Sequence, residues 1–381
     1  MSKKKLAIIG ASYLQEPLIE KAKCMGLETH VFAWKCGDIG EKTADFFYPI
    51  SIIEKDEILQ QCKNIGVDGI CSIASDLASV TVNYVGNAMG LTCNSLESTH
   101  IATNKHAMRT KFMENMDPSP RSWLMSDFVR LKDSLNISYP LIVKPTDRSG
   151  SRGITKINDE SQLEEAIGSA LSQSFEKEAL VEEFANGQEY SVECISYEGN
   201  HQLLAITKKY TTGAPHFIET GHVEPAPISR KSADNIKRIV FHALNSLQIK
   251  YGASHSEVKI DQQGNIKIIE IGGRMGGDFI GSDLVQLSTG YDFVKAVIEV
   301  ALGNKPETYD GRQMGAAATR FILSQSDLDA FNTLKREHQD YITYENIGKI
   351  TNTEVSDSST RLGSYIFRAL SITDLERYLP K

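Results

Sequence analysis

The chain has 381 residues, with 41 Lys+Arg against 49 Asp+Glu, a formal net charge of −8. At about 150 residues per domain this length makes two or three domains, each large enough to bury its own core. The acidic balance excludes a protein held on nucleic acid or anionic lipid by bulk charge, and no run of about 18 apolar residues is present to span a membrane as a helix.

From the N-terminus, Lys3, Lys4 and Lys5 precede an apolar stretch that covers only 6–9 before Gly10. That is short of the roughly 7–15 residues of an export core, and it reads as a buried strand. The six cysteines form no C-x-x-C pair, which points to reduced thiols and a cytoplasmic protein. Residues 1–95 alternate strands (6–9, 29–34, 46–50, 69–73) with helices (16–25, 55–64, 78–89), the pattern of a parallel α/β sheet. Gly10-Ala11-Ser12 starts like a dinucleotide loop but G-x-G-x-x-G is not completed, so a tight turn is the reading it supports.

One helix is predicted over 95–116, with Asn104-Lys105 at its middle and Asp117-Pro118-Ser119-Pro120 as its breaker. After Pro140 the pattern becomes antiparallel: strands 141–144, 154–157, 179–183 and 190–197, interrupted by a helix over 160–173. A second block holds a strand 202–210, a helix 232–247 and strands 253–260 and 266–271. The turn Gln262-Gln263-Gly264-Asn265 makes the last two a hairpin. The tail carries strands at 316–323 and 363–369 and a short helix from Ser371. The expected division is 1–95, an N-terminal α/β domain; 96–200, a linker helix and smaller lobe; and 201–381, a larger lobe with a C-terminal extension.

Chemistry gathers in a few places. An apolar strand delivers Lys144, and the loop Thr146-Asp147-Arg148-Ser149-Gly150-Ser151-Arg152-Gly153 follows it. Small residues there expose backbone N–H groups that can wrap a polyphosphate, although the Walker spacing is absent. Further on stand Glu182-Glu183-Phe184-Ala185 and Glu189. Glu257 and Glu270 lie on the hairpin strands, where both carboxylates can share a face and hold Mg²⁺. Glu270 leads into Gly272-Gly273-Arg274-Met275-Gly276-Gly277-Asp278, an arginine among glycines placed to approach an anion closely. The nine histidines include no H-x-x-H or H-E-x-x-H spacing, so a zinc site is not expected.

This ordered set resembles the ATP-grasp superfamily, in the branch of carboxylate–amine (L-amino-acid) ligases, from about Met1 to at least Gly303. The resemblance implies an α/β and α+β multidomain chain: an ATP-grasp fold behind an N-terminal Rossmann-like (pre-ATP-grasp) domain. It implies ATP and Mg²⁺ as cofactors, with Mn²⁺ as a substitute, and small-molecule acid and amine substrates. Neither nucleic acid nor a membrane is an implied partner, and homodimers are common among such ligases. Lys105 and Lys144 would contact the phosphates, with Ser149, Gly150, Ser151, Arg152 and Gly153 closing over them. Glu182 and the backbone of Glu183, Phe184 and Ala185 would meet adenine, and Glu189 the ribose. Glu257 and Glu270 would hold the metal. Lys144 and Arg274 would be catalytic, Arg274 stabilising the transferring phosphoryl group and an acyl phosphate. Glu219, His222, Arg274 and Asp278 would border the substrate.

One position departs from the family pattern. Where E-x-N-x-R is usual, this chain has Glu270-Ile271-Gly272-Gly273-Arg274, so a metal ligand is missing or replaced by water. Two further readings stay open: a carboxylase-like enzyme that activates bicarbonate, and a nucleotide-binding regulatory protein without turnover.

Overall fold

The computed structural model describes residues 3–131, 137–148, 150, 152–214, 217–349, 355 and 358–380. Three sheets are built one after another along the chain. The first holds β1 (Lys5–Ile9), β2 (Glu28–Phe32), β3 (Phe46–Tyr48) and β4 (Gly69–Cys71), all parallel in the order β3-β2-β1-β4. Leu6, Ala7, Ile8 and Ile9 are wholly buried, as a parallel strand covered on both faces requires.

The second sheet, order β5-β8-β6-β7, is antiparallel: β5 (Ser122–Leu124), β6 (Leu141–Pro145), β7 (Thr155–Ile157) and β8 (Ala179–Glu183). The helix Leu163–Gln173 covers it, and Leu141, Val143, Val181 and Ala166 share its core. The third sheet has eight strands: β9 (Gln188–Tyr197), β10 (Asn200–Thr211), β11 (Glu219–Glu224), β12 (Gly252–Ile260), β13 (Ile266–Gly272), β14 (Ala316–Ile322), β15 (Ile342–Ile347) and β16 (Gly363–Ala369). Their order is β13-β12-β9-β10-β11-β14-β16-β15.

Two expectations are corrected. The single helix expected over 95–116 is two, Leu96–Thr103 and Lys105–Glu114. Asn104 is extended at the break, and its side chain accepts hydrogen bonds from the N–H groups of His106 and Ala107, an N-cap in mid-sequence. Second, the expected smaller lobe 96–200 includes β9, yet β9 pairs with β10 and β12 in the large sheet. The helix pair joins that lobe too, because Ile101, Met108 and Phe112 pack with Val192, Ile236 and Val240. The stretch around Glu219 is an interior strand of the large sheet, paired with β10 and β14.

The N-terminal core is not closed by its own residues. Phe293, Val297 and Ile298, on the helix Phe293–Ala301, join the cluster of Leu6, Ile8 and Ile70. Among the described residues no helix is long and apolar enough to cross a membrane.

Candidate active site

A cleft with about 1050 Å³ of empty space, partly open to solvent, runs between the second and third sheets. Of the residues singled out from sequence, it is lined by Lys105, Lys144, Gly150, Glu182, Glu183, Phe184, Ala185, Glu189, Glu219, Glu257, Glu270, Gly272 and Arg274. Arg152 faces a neighbouring cavity. Gly153, His222 and Asp278 line neither. Ser149 and Ser151 lie outside the described residues.

The helix break at Asn104 sets Lys105 at the first turn of a new helix, where its N–H donates to the Thr146 carbonyl at 2.8 Å. Its Nζ then reaches the Glu270 carboxylate at 2.6 Å and the Arg148 carbonyl at 2.9 Å, tying the loop after β6 to β13. Lys144 at the end of β6 pairs with Glu182 at 2.6 Å, and Arg109 grips the other oxygen of that carboxylate at 2.9 Å. Burial pushes Glu182 up, but Arg109 and Lys144 outweigh it and hold the carboxyl below its ordinary value. Burial, followed by the nearby Arg109 and Lys105, leaves Lys144 below the usual lysine value despite Glu182. Glu182 therefore offers the cleft a neutralised pair, not a free carboxylate for adenine. Glu183 is likewise occupied, by Arg121 at 2.6 Å.

Glu257 and Glu270 are register partners across β12 and β13, so their side chains leave the same face of the sheet. Lys209 of β10 stands on this face, 4% exposed, at 2.5 Å from Glu257, 3.0 Å from Glu189 and 3.7 Å from Glu219. Burial opposes its charge, but the three carboxylates outweigh burial and raise it well above an ordinary lysine. Burial also acts against ionisation of Glu257, and Lys209 and His255 overcome it, keeping that carboxyl well below its normal range. His255 in turn bonds Glu193, which also accepts the Gly276 N–H at 3.0 Å. Burial lowers His255, but Glu193 and Glu257 raise it to about 9. A Cβ on Gly276 would come within 2.7 Å of both partners of that pair, so only glycine fits there.

Arg274 is fixed from the N-terminal domain. Asp76, in the first turn of the helix Asp76–Met89, accepts two hydrogen bonds from its guanidinium, 2.9 Å from Nε and 3.0 Å from the terminal nitrogen. This bidentate fork sets the plane of the guanidinium as well as its place. The residues expected at the substrate form a second network. Arg361 bonds both Glu219 and Asp278 at 2.8 Å and lies 3.7 Å over the Phe321 ring. His222 is buried beneath, 3.8 Å from Asp278, and burial holds it below its ordinary value despite the pull of Asp278.

A hard divalent cation suits the Glu257–Glu270 face. The oxygens there already hold positive charge, the ammonium groups of Lys209 and Lys105, and carboxylate oxygens are the ligands Mg²⁺ takes. Among the described residues no group of three or more His, Cys, Asp or Glu side chains is arranged to hold a metal, so these two carboxylates would hold it together with water and phosphate oxygens. The departure at Gly272 has a steric reason. A Cβ there would lie 3.1 Å from Asp76 Oδ1 and 3.3 Å from Arg274 Nε, so the Asp76–Arg274 fork fills the space an asparagine would take.

Lys209, Asp76, Arg109, Arg361 and the Glu193–His255 pair were not anticipated. Lys209 carried a signal, being in phase with the inward Ala205 and Thr207 on one strand. The others are brought in by contacts spanning tens to hundreds of residues, which local pattern does not carry.

Residues 137–283 match the family model of the ATP-grasp domain. Among curated proteins, the chain is similar to alanine–anticapsin ligase of Bacillus subtilis, 24% identical over 275 residues, 63% of this chain and 58% of that protein. It is also similar to a D-alanine–D-alanine ligase of Thermosipho africanus, 29% identical over 136 residues, 33% of this chain and 35% of that one. The chain thus spans about a third to somewhat over half the length of these relatives. Among solved structures, an L-amino acid ligase from Bacillus licheniformis superposes with a TM-score of 0.83 at 22% identity, over 99% of this chain and 96% of that chain. Phosphoribosylglycinamide synthetase from Anaerococcus prevotii gives 0.79 at 20% identity, over 99% and 96%. These likenesses show a common fold.

Proposed function

From the match of residues 137–283 to the ATP-grasp domain, we propose that the chain is an ATP-grasp ligase joining a carboxylic acid to an amine at the expense of ATP. The observation that carries the reading is one cleft in which Lys105, Lys144, Lys209 and Arg274 converge with Glu257 and Glu270. Its cofactors are ATP and Mg²⁺. Glu257 and Glu270, with water, would hold the metal, which would supply neutralisation of the phosphate charge.

In the first half-reaction an oxygen of the acid attacks the γ-phosphorus and the bond to ADP breaks, giving an acyl phosphate. In the second, the amine nitrogen bonds the acyl carbon and phosphate departs. Neither half needs a protein nucleophile; positioning and charge suffice. Lys105 and Lys144 orient the phosphates and Arg274, its plane set by Asp76, meets the charge that develops on the transferring group. Lys209 holds Glu189, Glu219 and Glu257 together and adds a further cation to the cleft. Glu189 would meet the ribose, and the Glu183–Ala185 backbone adenine. The acid and amine are small molecules, amino acids or related acids. We place the protein in the cytoplasm, where its six free thiols stay reduced, and as a homodimer, which light scattering checks.

The test is a matrix of acids and amines scored for ADP and phosphate release, with hydroxylamine as a trap for the acyl phosphate. Formation of ADP that requires both an acid and an amine is the expected result. Glu270→Ala should lower that rate by at least 10²-fold while the circular dichroism spectrum stays unchanged. ADP formed with bicarbonate alone would identify a carboxylase-like enzyme instead. Calorimetric ATP binding with no ADP from any pair would identify a regulatory nucleotide-binding protein.

A further inference from the structure

A further cavity lies outside the nucleotide cleft, in the N-terminal domain, with about 610 Å³ of empty space partly open to solvent. It sits beyond the carboxyl ends of the parallel strands, lined by Ala11 and Leu14 after β1, Trp34 and Asp38 after β2, Ile52 after β3 and Ala74 after β4. That edge of a parallel α/β sheet is where ligands bind. The cavity shares no lining residue with the cleft.

Its walls are held in place from behind. Gln15 Nε2 donates to the Ile73 carbonyl at 2.8 Å, joining the turn after β1 to the end of β4. Gly10 permits that approach, because a Cβ on it would stand 2.9 Å from Gln15 Oε1. The loop bearing Trp34 and Asp38 is pinned by Glu41, whose carboxylate accepts the N–H groups of Cys36, Gly37 and Asp38. Trp34 is 52% exposed, and among the described residues its indole has no ring, cation or hydrogen-bond partner. An aromatic face left open in a fixed wall suits an apolar body or a cation. Asp38 is the one charged side chain among the described residues of the lining. The Cys36 thiol donates to it at 3.2 Å, so the thiol keeps its proton and adds no charge. No lysine, arginine or histidine stands among those residues to receive a phosphate or carboxylate.

The floor of the cavity leads to the cleft. Ala74 lies in the left-handed region, φ 60°, and its N–H donates to the Met275 carbonyl at 3.3 Å. Ser75 caps the next helix, its Oγ accepting the Ala78 N–H at 3.2 Å, and Asp76 follows with the fork that fixes Arg274. A residue other than glycine keeps such a backbone only through its surroundings, so packing against Ala74 bears on the arginine. We propose that this cavity binds a small organic cation, an ammonium group on an apolar or aromatic body, as an effector of the cleft. The body lies on Trp34, Leu14 and Ile52, and the ammonium faces Asp38. An occupant braces the Ala74 turn, and through Asp76 it steadies the Arg274 guanidinium.

Benzyltrimethylammonium is the probe, because a quaternary nitrogen cannot be acylated and so cannot serve as a substrate amine. Benzyl alcohol and benzoate carry the same ring without charge and with the opposite charge. Trp34 and Trp123 are the two tryptophans of the chain, so Trp123→Phe leaves Trp34 as the only indole reporter. With MgADP filling the cleft, the cation should change Trp34 emission saturably, with a calorimetric Kd within about 2-fold of that without MgADP. Benzyl alcohol should bind about 10-fold more weakly or worse, and benzoate not at all. Asp38→Asn and Trp34→Ala should each raise the Kd for the cation by about 10-fold or more, with circular dichroism and ADP affinity unchanged. At saturation the cation should slow hydrogen exchange of the Ala74 amide and raise turnover of the selected acid and amine, and Trp34→Ala should lose both effects. Equal binding of benzyl alcohol, binding of benzoate, competition by MgADP, or binding that leaves Trp34 emission unchanged would overturn the site. So would the absence of saturable binding up to about 10 mM. Unchanged exchange at Ala74, or turnover that the saturating cation does not move, would overturn the effector role. The binding and exchange measurements do not depend on the ligase reading: a chain that passes them yet forms no ADP from any pair would lose that reading and keep the site.

Discussion

Gly272 stands where the resemblance to ATP-grasp ligases implies an asparagine, and the space for that side chain is taken by the Asp76–Arg274 fork. Restoring the asparagine should therefore harm the site instead of completing it. Gly272→Asn is expected to lower kcat by about 10-fold or more, since small displacements of a positioned charge are costly, and steady-state kinetics across Mg²⁺ concentrations will show whether metal affinity improves meanwhile. Glu224 makes a different point about single residues. It is buried, accepts hydrogen bonds from Thr207 at 2.7 Å and Ser288 at 2.5 Å, and among the described residues no cation pairs with it. Burial raises its pKa from 4.5 to about 7. Between those values the folded chain keeps a proton that the unfolded chain has lost, so this group's contribution is full below about pH 4.5 and shrinks as pH rises to 7. Glu224→Gln cannot ionise, and its stability relative to the unsubstituted protein should improve by up to about 3 kcal/mol across that window. Urea unfolding at several pH values measures it.

Elements were legible where one face of the pattern is buried. The strands of the N-terminal sheet, the β12–β13 hairpin and the helix Arg230–Ser246 follow from apolar periodicity and glycine stops, and the Glu257–Glu270 pairing follows from the hairpin register. What period alone did not reveal is the cap at Asn104, because asparagine is tolerated inside a helix and only its extended backbone makes it a boundary. The strand β11 was obscured for a similar reason: Gly221 and the prolines after it resemble a loop, although the strand is interior. The break at Asn104 serves Lys105. Asn104→Ala should cost about 1 kcal/mol of stability and raise the KM for ATP several-fold, because Lys105 loses its fixed first turn; thermal melts and ATP titrations separate the two effects. Unchanged ATP affinity in a destabilised variant would show that the cap serves the fold alone.

Across the whole molecule, Asp76 and Arg274 are 198 residues apart in sequence, and their fork joins the N-terminal domain to the strand end that carries the arginine. Burial acts against Asp76 ionising, but Arg274 outweighs it and keeps the carboxyl below its usual value. Asp76→Asn is expected to lower kcat by about 10²-fold with little change in ATP affinity, and calorimetric binding alongside turnover reads both. The order of lysines, glycine-rich loop, paired carboxylates and arginine was determined by the sequence alone, because each is a local pattern of residue type and spacing. So was the class of chemistry, since those types bind phosphate and a hard cation wherever they are brought together. The tertiary structure alone decided which partner each charge has. Lys209 is held among three carboxylates, Glu182 is shut between Arg109 and Lys144, and Glu219 and Asp278 are tied to Arg361. Such pairings depend on Coulomb interactions that act through space at a few ångströms, and separation along the chain carries no record of them.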